Sequence, residues 1–317
     1  MKKIISLMIA AALLLGACVC AAAEGDAYQI GILQFVQHPA LDQATQGFKD
    51  ALTEKLGDKV SFIDENASGE VPNCATIASQ LVSKQVNLIM ANATPPLQAC
   101  SNATGDIPVL GTSVTDYQAA LEIELTPEGA TGMNISGTSD LAPLDGQAGM
   151  IKELFPDAKT IGLLYCSGEA NSIYQIKVIE GYLTEMGYEC KRYGFNDSND
   201  LASVAQTATE CDVIYIPTDN TAASCTEAIR NVVEPAMKPV IAGEEGICKG
   251  CGVATLSISY YDLGYATGEM ACEVLANGAD VATLDVAFAP NVTKEYNAEL
   301  CELLGVTIPE DYVAIEG

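Results

Sequence analysis

Two short segments of this sequence put hydrogen-bonding side chains where a strand gives way to a helix. In Ser167-Gly168-Glu169-Ala170-Asn171-Ser172, Asn171 and Ser172 are good caps for the helix that follows. The first turn of a helix also leaves N–H groups unpaired at its positive end. A ligand carboxylate placed there gains those donors together with the Asn171 and Ser172 side chains. Pro217-Thr218-Asp219-Asn220 is the equivalent loop after the next apolar run of that half. Asp219 is there either a helix cap or the partner of an ammonium group. Glu244, after Val240-Ile241-Ala242-Gly243, is a second anion for the same purpose, with Glu245 beside it facing solvent. Carboxylate recognition at one helix end and ammonium recognition at the next describe an α-amino acid. An aromatic side chain on it needs apolar or aromatic walls, for which Phe35, His38, Leu41 and Tyr260 are candidates. His38 is the only histidine and builds no metal site by itself.

Cys248-Lys249-Gly250-Cys251 has the spacing of a redox or metal motif. It falls between two strands in a Gly-rich loop, however, and has no second pair at zinc-finger spacing. A structural disulfide or two free thiols is the expected outcome. The alternative from another class is an extracytoplasmic thiol/disulfide enzyme using Cys248 and Cys251. The sequence has no Gly-x-Ser-x-Gly elbow, phosphate loop or histidine-based triad.

Positioning those loops takes alternating strands and helices. Short β-rich runs at Ile30–Phe35, Val60–Ile63, Leu88–Ala91, Val109–Leu110, Ile161–Tyr165, Val213–Ile216, Val240–Ala242 and Val253–Leu256 alternate with segments of helical period. Such alternation predicts parallel sheets covered on both faces. The pattern also repeats. Ile30-Gly31-Ile32-Leu33 returns as Ile161-Gly162-Leu163-Leu164, and Ile107-Pro108-Val109-Leu110-Gly111 as Lys238-Pro239-Val240-Ile241-Ala242, both at an offset of 131 residues. Asn87-Leu88-Ile89-Met90 returns as Asp212-Val213-Ile214-Tyr215 at an offset of 125. Two copies of one doubly wound unit follow, with ligand loops at the carboxyl ends of the strands. In the first copy these loops are 34–39, 92–96 and 111–116, where Thr94 and Ser113 are candidate contacts.

The chain opens with Lys2 and Lys3, an apolar run from Ile4 to Leu15, and then small residues, which is the order of an export signal. Leu15-Gly16-Ala17-Cys18 reads as a lipobox, with Cys18 as the lipidated N-terminus. Cleavage after Ala21-Ala22-Ala23 is the alternative. A formal charge of −27 repels nucleic acid and anionic lipid, so neither is an expected partner. The membrane is then reached through the lipid anchor alone.

Several motifs fall together in order: Gly31-Ile32-Leu33-Gln34, His38-Pro39-Ala40-Leu41-Asp42, Ser139-Asp140-Leu141, the two loops above, Ala242-Gly243-Glu244 and Tyr260-Tyr261-Asp262-Leu263-Gly264. With them the chain resembles the tryptophan/tyrosine-type solute-binding proteins of ABC importers. The resemblance implies the type I periplasmic-binding-protein fold, α/β, with two doubly wound parallel-sheet lobes joined by a three-segment hinge. It implies no cofactor and no catalysis, an aromatic amino acid as ligand, and separate permease and ATPase subunits as partners. It also implies that Asn171, Ser172, Thr218, Asp219 and Asn220 are ligand residues rather than mere caps. A sugar or nucleoside binder of the same fold is the nearer alternative. The expected division is a signal peptide over 1–17 and a tether over 18–27. An N-terminal lobe follows over 28–140 plus about 260–287, and a C-terminal lobe over 141–259 plus about 288–317.

Overall fold

The computed structural model describes residues 27–289 and 291–316. The export signal, Cys18 and Cys20 lie outside the described residues. The first half builds β1 (Tyr28–Gln34), β2 (Val60–Asn66), β3 (Leu88–Asn92), β4 (Val109–Val114) and β5 (Ile135–Ser139). The second builds β6 (Thr160–Cys166), β7 (Glu189–Phe195), β8 (Val213–Ile216), β9 (Val240–Ala242) and β10 (Ala254–Ser257). Three short strands complete the sheets: β11 (Ala287–Phe288), β12 (Thr293–Tyr296) and β13 (Val313–Ala314).

One sheet runs β11-β5-β4-β3-β1-β2 and the other β13-β12-β10-β9-β8-β6-β7. The five strands of each half share one spatial order, second, first, third, fourth, fifth, as the internal repeat requires. All ladders are parallel except that between β10 and β12. Side chains alternate across each strand. Ile30 and Ile32 therefore enter a core on one face of the first sheet, and Leu33 the core on the other. Val213 and Tyr215 part from Ile214 and Ile216 in the same way across the second sheet.

The chain passes between the sheets three times, after β5, after β10 and after β11. After the second passage the helix Tyr260–Asn277 lies against the helix Pro39–Leu56 of the first half. The two helices approach so closely that a Cβ on Gly47 or Gly264 would run into the opposing backbone. No described helix is long and apolar enough to cross a membrane.

Two of the ten strands of the repeat carry little hydrophobic signal. β5 reads Ile-Ser-Gly-Thr-Ser, yet it is fully buried because its hydroxyls bond inside the protein, Thr138 Oγ1 to Thr267 Oγ1 at 2.8 Å. β7 is a half-exposed edge. The Cys248–Cys251 segment is not a Gly-rich loop as expected. Glu244 accepts from Gly246 N and Ile247 N, caps the segment and turns Glu245–Cys251 into a helix. The ten described cysteines are all free thiols.

Candidate functional site

The loops at the strand ends of the second sheet are built around buried carboxylates. Glu169 is the last residue before the helix Ala170–Glu185. Its Oε2 accepts from Asn220 N at 3.1 Å, Asn220 Nδ2 at 2.6 Å and Asn171 Nδ2 at 3.2 Å. Its Oε1 accepts from Thr221 N at 2.9 Å and Thr221 Oγ1 at 2.7 Å. Glu169 thereby fastens the loop after β6 to the loop after β8. Asp219 caps the short helix Asn220–Ser224 by accepting from Ala222 N at 2.8 Å, and its other oxygen takes Cys166 N at 2.6 Å. Gln175 holds Thr218 at both ends: its Oε1 accepts from Thr218 N at 3.1 Å, and its Nε2 donates to Thr218 O at 3.1 Å. Between the sheets, Asp140 accepts from Thr115 Oγ1 at 3.1 Å and Tyr260 OH at 2.9 Å.

Asp140, Glu169, Asp219 and Glu244 are each at most 3 % exposed. None forms an ion pair with a described Lys or Arg. Buried charge without a counter-ion is costly, and protons respond to it. Burial pushes the Glu244 carboxyl up to about 7 and Asp140 to about 6. Burial, with the Glu169 charge beside it, raises Asp219 to about 7.

The strand ends of the first sheet are different. Thr94 Oγ1, Ser113 Oγ and His38 Nδ1 are buried and have no hydrogen-bond partner among the described residues. The backbone is strained at the same two strand ends, with Ala93 at φ 96° and Ser113 at φ 55°. Ser113 lies within β4 rather than in the loop after it, because the strand runs on to Val114 through a register shift. Asn171 Oδ1, in the first turn of the helix that follows β6 of the opposite sheet, is also without a partner among the described residues. Buried polar atoms are nearly always paired, so orphans on the strand ends of both sheets mark a place for a ligand.

The structure turns Asn171 against the role expected of it. Its Nδ2 is committed to Glu169 Oε2 and to Thr218 O at 3.1 Å, and these acceptors fix which end of the amide faces which way. What Asn171 offers is an acceptor, which suits an ammonium and not a carboxylate. Ser172 Oγ accepts from Asn171 Nδ2 at 3.4 Å, and the Ser172 side chain draws the Asp219 carboxyl downward against the larger effect of burial. Thr218 Oγ1 donates to Gly243 O at 3.3 Å. Phe35 packs in the first sheet's core and borders a cavity of about 160 Å³, whose other walls include Glu169 and Thr221. Tyr260 is buried with its hydroxyl on Asp140, and Leu41 is a core residue. Sequence reasoning passed over Glu169, Gln175 and Asp140. Each had a signal: Glu169 ends the loop at the helix start, Gln175 lies one turn beyond Asn171, and Asp140 belongs to the Ser139-Asp140-Leu141 motif.

Two hydrogen bonds join the facing strand ends: His38 Nε2 with Asn220 Oδ1 at 3.3 Å, and Gln175 Nε2 to Thr115 Oγ1 at 3.4 Å. Paired doubly wound sheets, three passages and facing strand ends with buried polar groups define a binding protein of the type I periplasmic fold. A family model described as ABC transporter substrate binding protein matches residues 29–315, and the chain belongs to that family. Its work is done outside the cytoplasm, as the substrate-binding component of an ABC transporter. A tyrosine-binding protein of Clostridioides difficile is 38% identical over 262 residues, 81% of this chain and 75% of the relative. A solved domain from Streptococcus pneumoniae in complex with L-Trp is 34% identical, with a TM-score of 0.85 over 89% of this chain and 96% of its own. The ligand-free, open structure of a substrate-binding protein with adhesive properties from Clostridium difficile is also 34% identical. It covers 91% of this chain and 99% of its own, but its TM-score is 0.69. At equal identity the present chain is nearer in shape to the ligand-bound relative, in keeping with its closed strand ends.

Proposed function

We propose that this protein captures an L-amino acid with an aromatic side chain between its two sheets and hands it to separate permease and ATPase subunits. Four buried carboxylates with no basic partner carry this reading. An ammonium group supplies the missing charge, whereas a sugar or nucleoside brings none. The ammonium goes to Asn171 Oδ1 and the acidic side formed by Asp219 and Glu244. The ligand carboxylate goes to the Thr94 and Ser113 hydroxyls, and the ring to Phe35, His38 and Tyr260. Ser172, Thr218 and Asn220 hold the acidic side in place. The tyrosine- and tryptophan-binding relatives support the choice of an aromatic side chain.

The two sheets act as lobes, residues 28–140 with about 260–287 and residues 141–259 with about 288–317, hinged at the three passages. Lipidated Cys18 tethers them to the membrane, and a diacylglyceryl group on Cys18 in the mass spectrum of the mature protein is the expected mark. Burial of Cys248 and Cys251 raises both thiols far above neutrality, which leaves them little thiolate and speaks against thiol chemistry.

Calorimetric titration with the proteinogenic amino acids, their deaminated analogues, common sugars and nucleosides tests the ligand. Aromatic amino acids are expected to bind, with deaminated analogues much weaker because the buried acids then lack their cation. Binding of a sugar or nucleoside with no amino acid bound would overturn the assignment.

A further inference from the structure

His38 meets Asn220 across the cleft, and the bonding around Asn220 determines which imidazole nitrogen carries the proton. Glu169 Oε2 takes the Asn220 amide nitrogen at 2.6 Å, so that end of the amide is fixed as the donor. Asn220 Oδ1 is then the end that faces His38 Nε2 at 3.3 Å. An amide oxygen only accepts, so Nε2 must hold the hydrogen. A neutral imidazole with its proton on Nε2 has a bare lone pair on Nδ1. His38 Nδ1 is buried and meets no donor, not even from the helix Pro39–Leu56 that follows it. The charged groups facing the ring are Glu169 and Asp42, and burial outweighs both and holds the histidine below its ordinary value. The ring is therefore neutral near pH 7.

We infer that His38 is a specificity-determining residue, its tautomer set through Asn220 by Glu169, so that Nδ1 accepts a hydrogen bond from the ligand's side chain. The donor it suits is a phenol O–H or an indole N–H, which L-tyrosine and L-tryptophan possess and L-phenylalanine lacks. This rests on the aromatic amino-acid reading above and sharpens it. A site with a buried acceptor rejects a ligand that leaves it unpaired. Glu169 is a positioning residue: its oxygens already hold five donors, and it acts on the ligand only through Asn220 and His38.

Because His38 is the only histidine, protein labelled with ¹⁵N-histidine gives a single imidazole to observe. The full mature protein is titrated with L-tyrosine, L-tryptophan and L-phenylalanine while the two ring nitrogens are followed by NMR. The expected result is a proton on Nε2 throughout, and an Nδ1 resonance that moves toward the hydrogen-bonded position with tyrosine or tryptophan but not with phenylalanine. Affinity for at least one of the two donors should exceed that for phenylalanine by about tenfold, and His38→Gln, which keeps a donor for Asn220 but has no Nδ1, should erase that margin. Glu169→Gln should release the Asn220 amide and shift ring protonation toward Nδ1, a change that loosened packing alone does not produce. A proton on Nδ1 in the wild type, or equal binding of all three ligands, overturns the proposal and leaves the aromatic reading intact. Failure of all three to bind removes both.

Discussion

The strand ends of the two sheets face each other, yet they are built in opposite ways. On the second sheet every loop is tied down by a carboxylate: Glu169 to Asn220 and Thr221, Asp219 to Cys166 and Ala222, Glu244 to Gly246 and Ile247. On the first sheet Thr94 and Ser113 have no partner and the backbone beside them is strained. The second side holds most of the buried acid without a described basic partner. The first holds most of the hydroxyls without a described partner. A zwitterion satisfies both, which is why neither half would be expected to bind well alone.

Acidity is heavier on the second side, which holds Glu169, Asp219 and Glu244, while the first holds Asp140 alone at the end of β5. An acid whose folded value is raised holds its proton in the native state after the unfolded chain has lost it. For Asp219 that window runs from 3.8 to about 7, and for Glu244 from 4.5 to about 7. The native state binds more protons there, so its stability falls as pH rises through the window. The ligand-free protein should lose at least about 3 kcal/mol between pH 4 and pH 7.5 in urea unfolding curves. Saturating ligand should reduce that loss, since its ammonium neutralises the acids. Stability that rises over the same interval without ligand would contradict the charge imbalance.

Substitutions at the two sides should then differ in kind. Asp219→Ala removes a cap and the partner of Cys166 N, and should cost about 2–4 kcal/mol of ligand-free stability in urea unfolding. Asp219→Asn repairs little of this, because one of its two amide ends must face an N–H donor. Thr94→Val and Ser113→Ala remove hydroxyls that bond no other described protein group, and should leave the unfolding midpoint of the ligand-free protein unchanged within about 0.5 kcal/mol. Each should nonetheless weaken ligand binding about five- to tenfold in calorimetry. Equal losses of stability at all three positions would erase the distinction between the sides.

The smallest effect expected is at Ala93, whose φ of 96° and ψ of 166° lie in a region natural to glycine. Ala93→Gly should stabilise the protein by about 1 kcal/mol in the same unfolding assay. Binding should suffer slightly if the strain serves to aim Thr94. A destabilised Ala93→Gly variant would mean that the buried methyl contributes more than the backbone strain costs.

Much of the architecture was legible in the chain because burial writes a period. Fully buried parallel strands read as continuous apolar runs, and Ile30–Phe35 and Ile161–Tyr165 carry that mark. β5 left no such mark, because its buried hydroxyls are satisfied by partners far away in the sequence, Thr138 by Thr267. The Glu245–Cys251 helix was hidden by its two glycines, and it forms because Glu244 caps it.

The sequence by itself determined the internal repeat, the strand-end loops that carry Asn171, Asp219 and Glu244, and the acidic character of the whole chain. These follow from residue type and spacing, which are local properties. Only the tertiary structure decided what each group at the site still has to offer. Asn171 has its nitrogen taken and its oxygen free, Asp219 is drawn into capping, and Glu169 reaches across to hold Asn220 and Thr221. A hydrogen bond joins two directions in space, and those directions exist only once distant strands have been brought end to end.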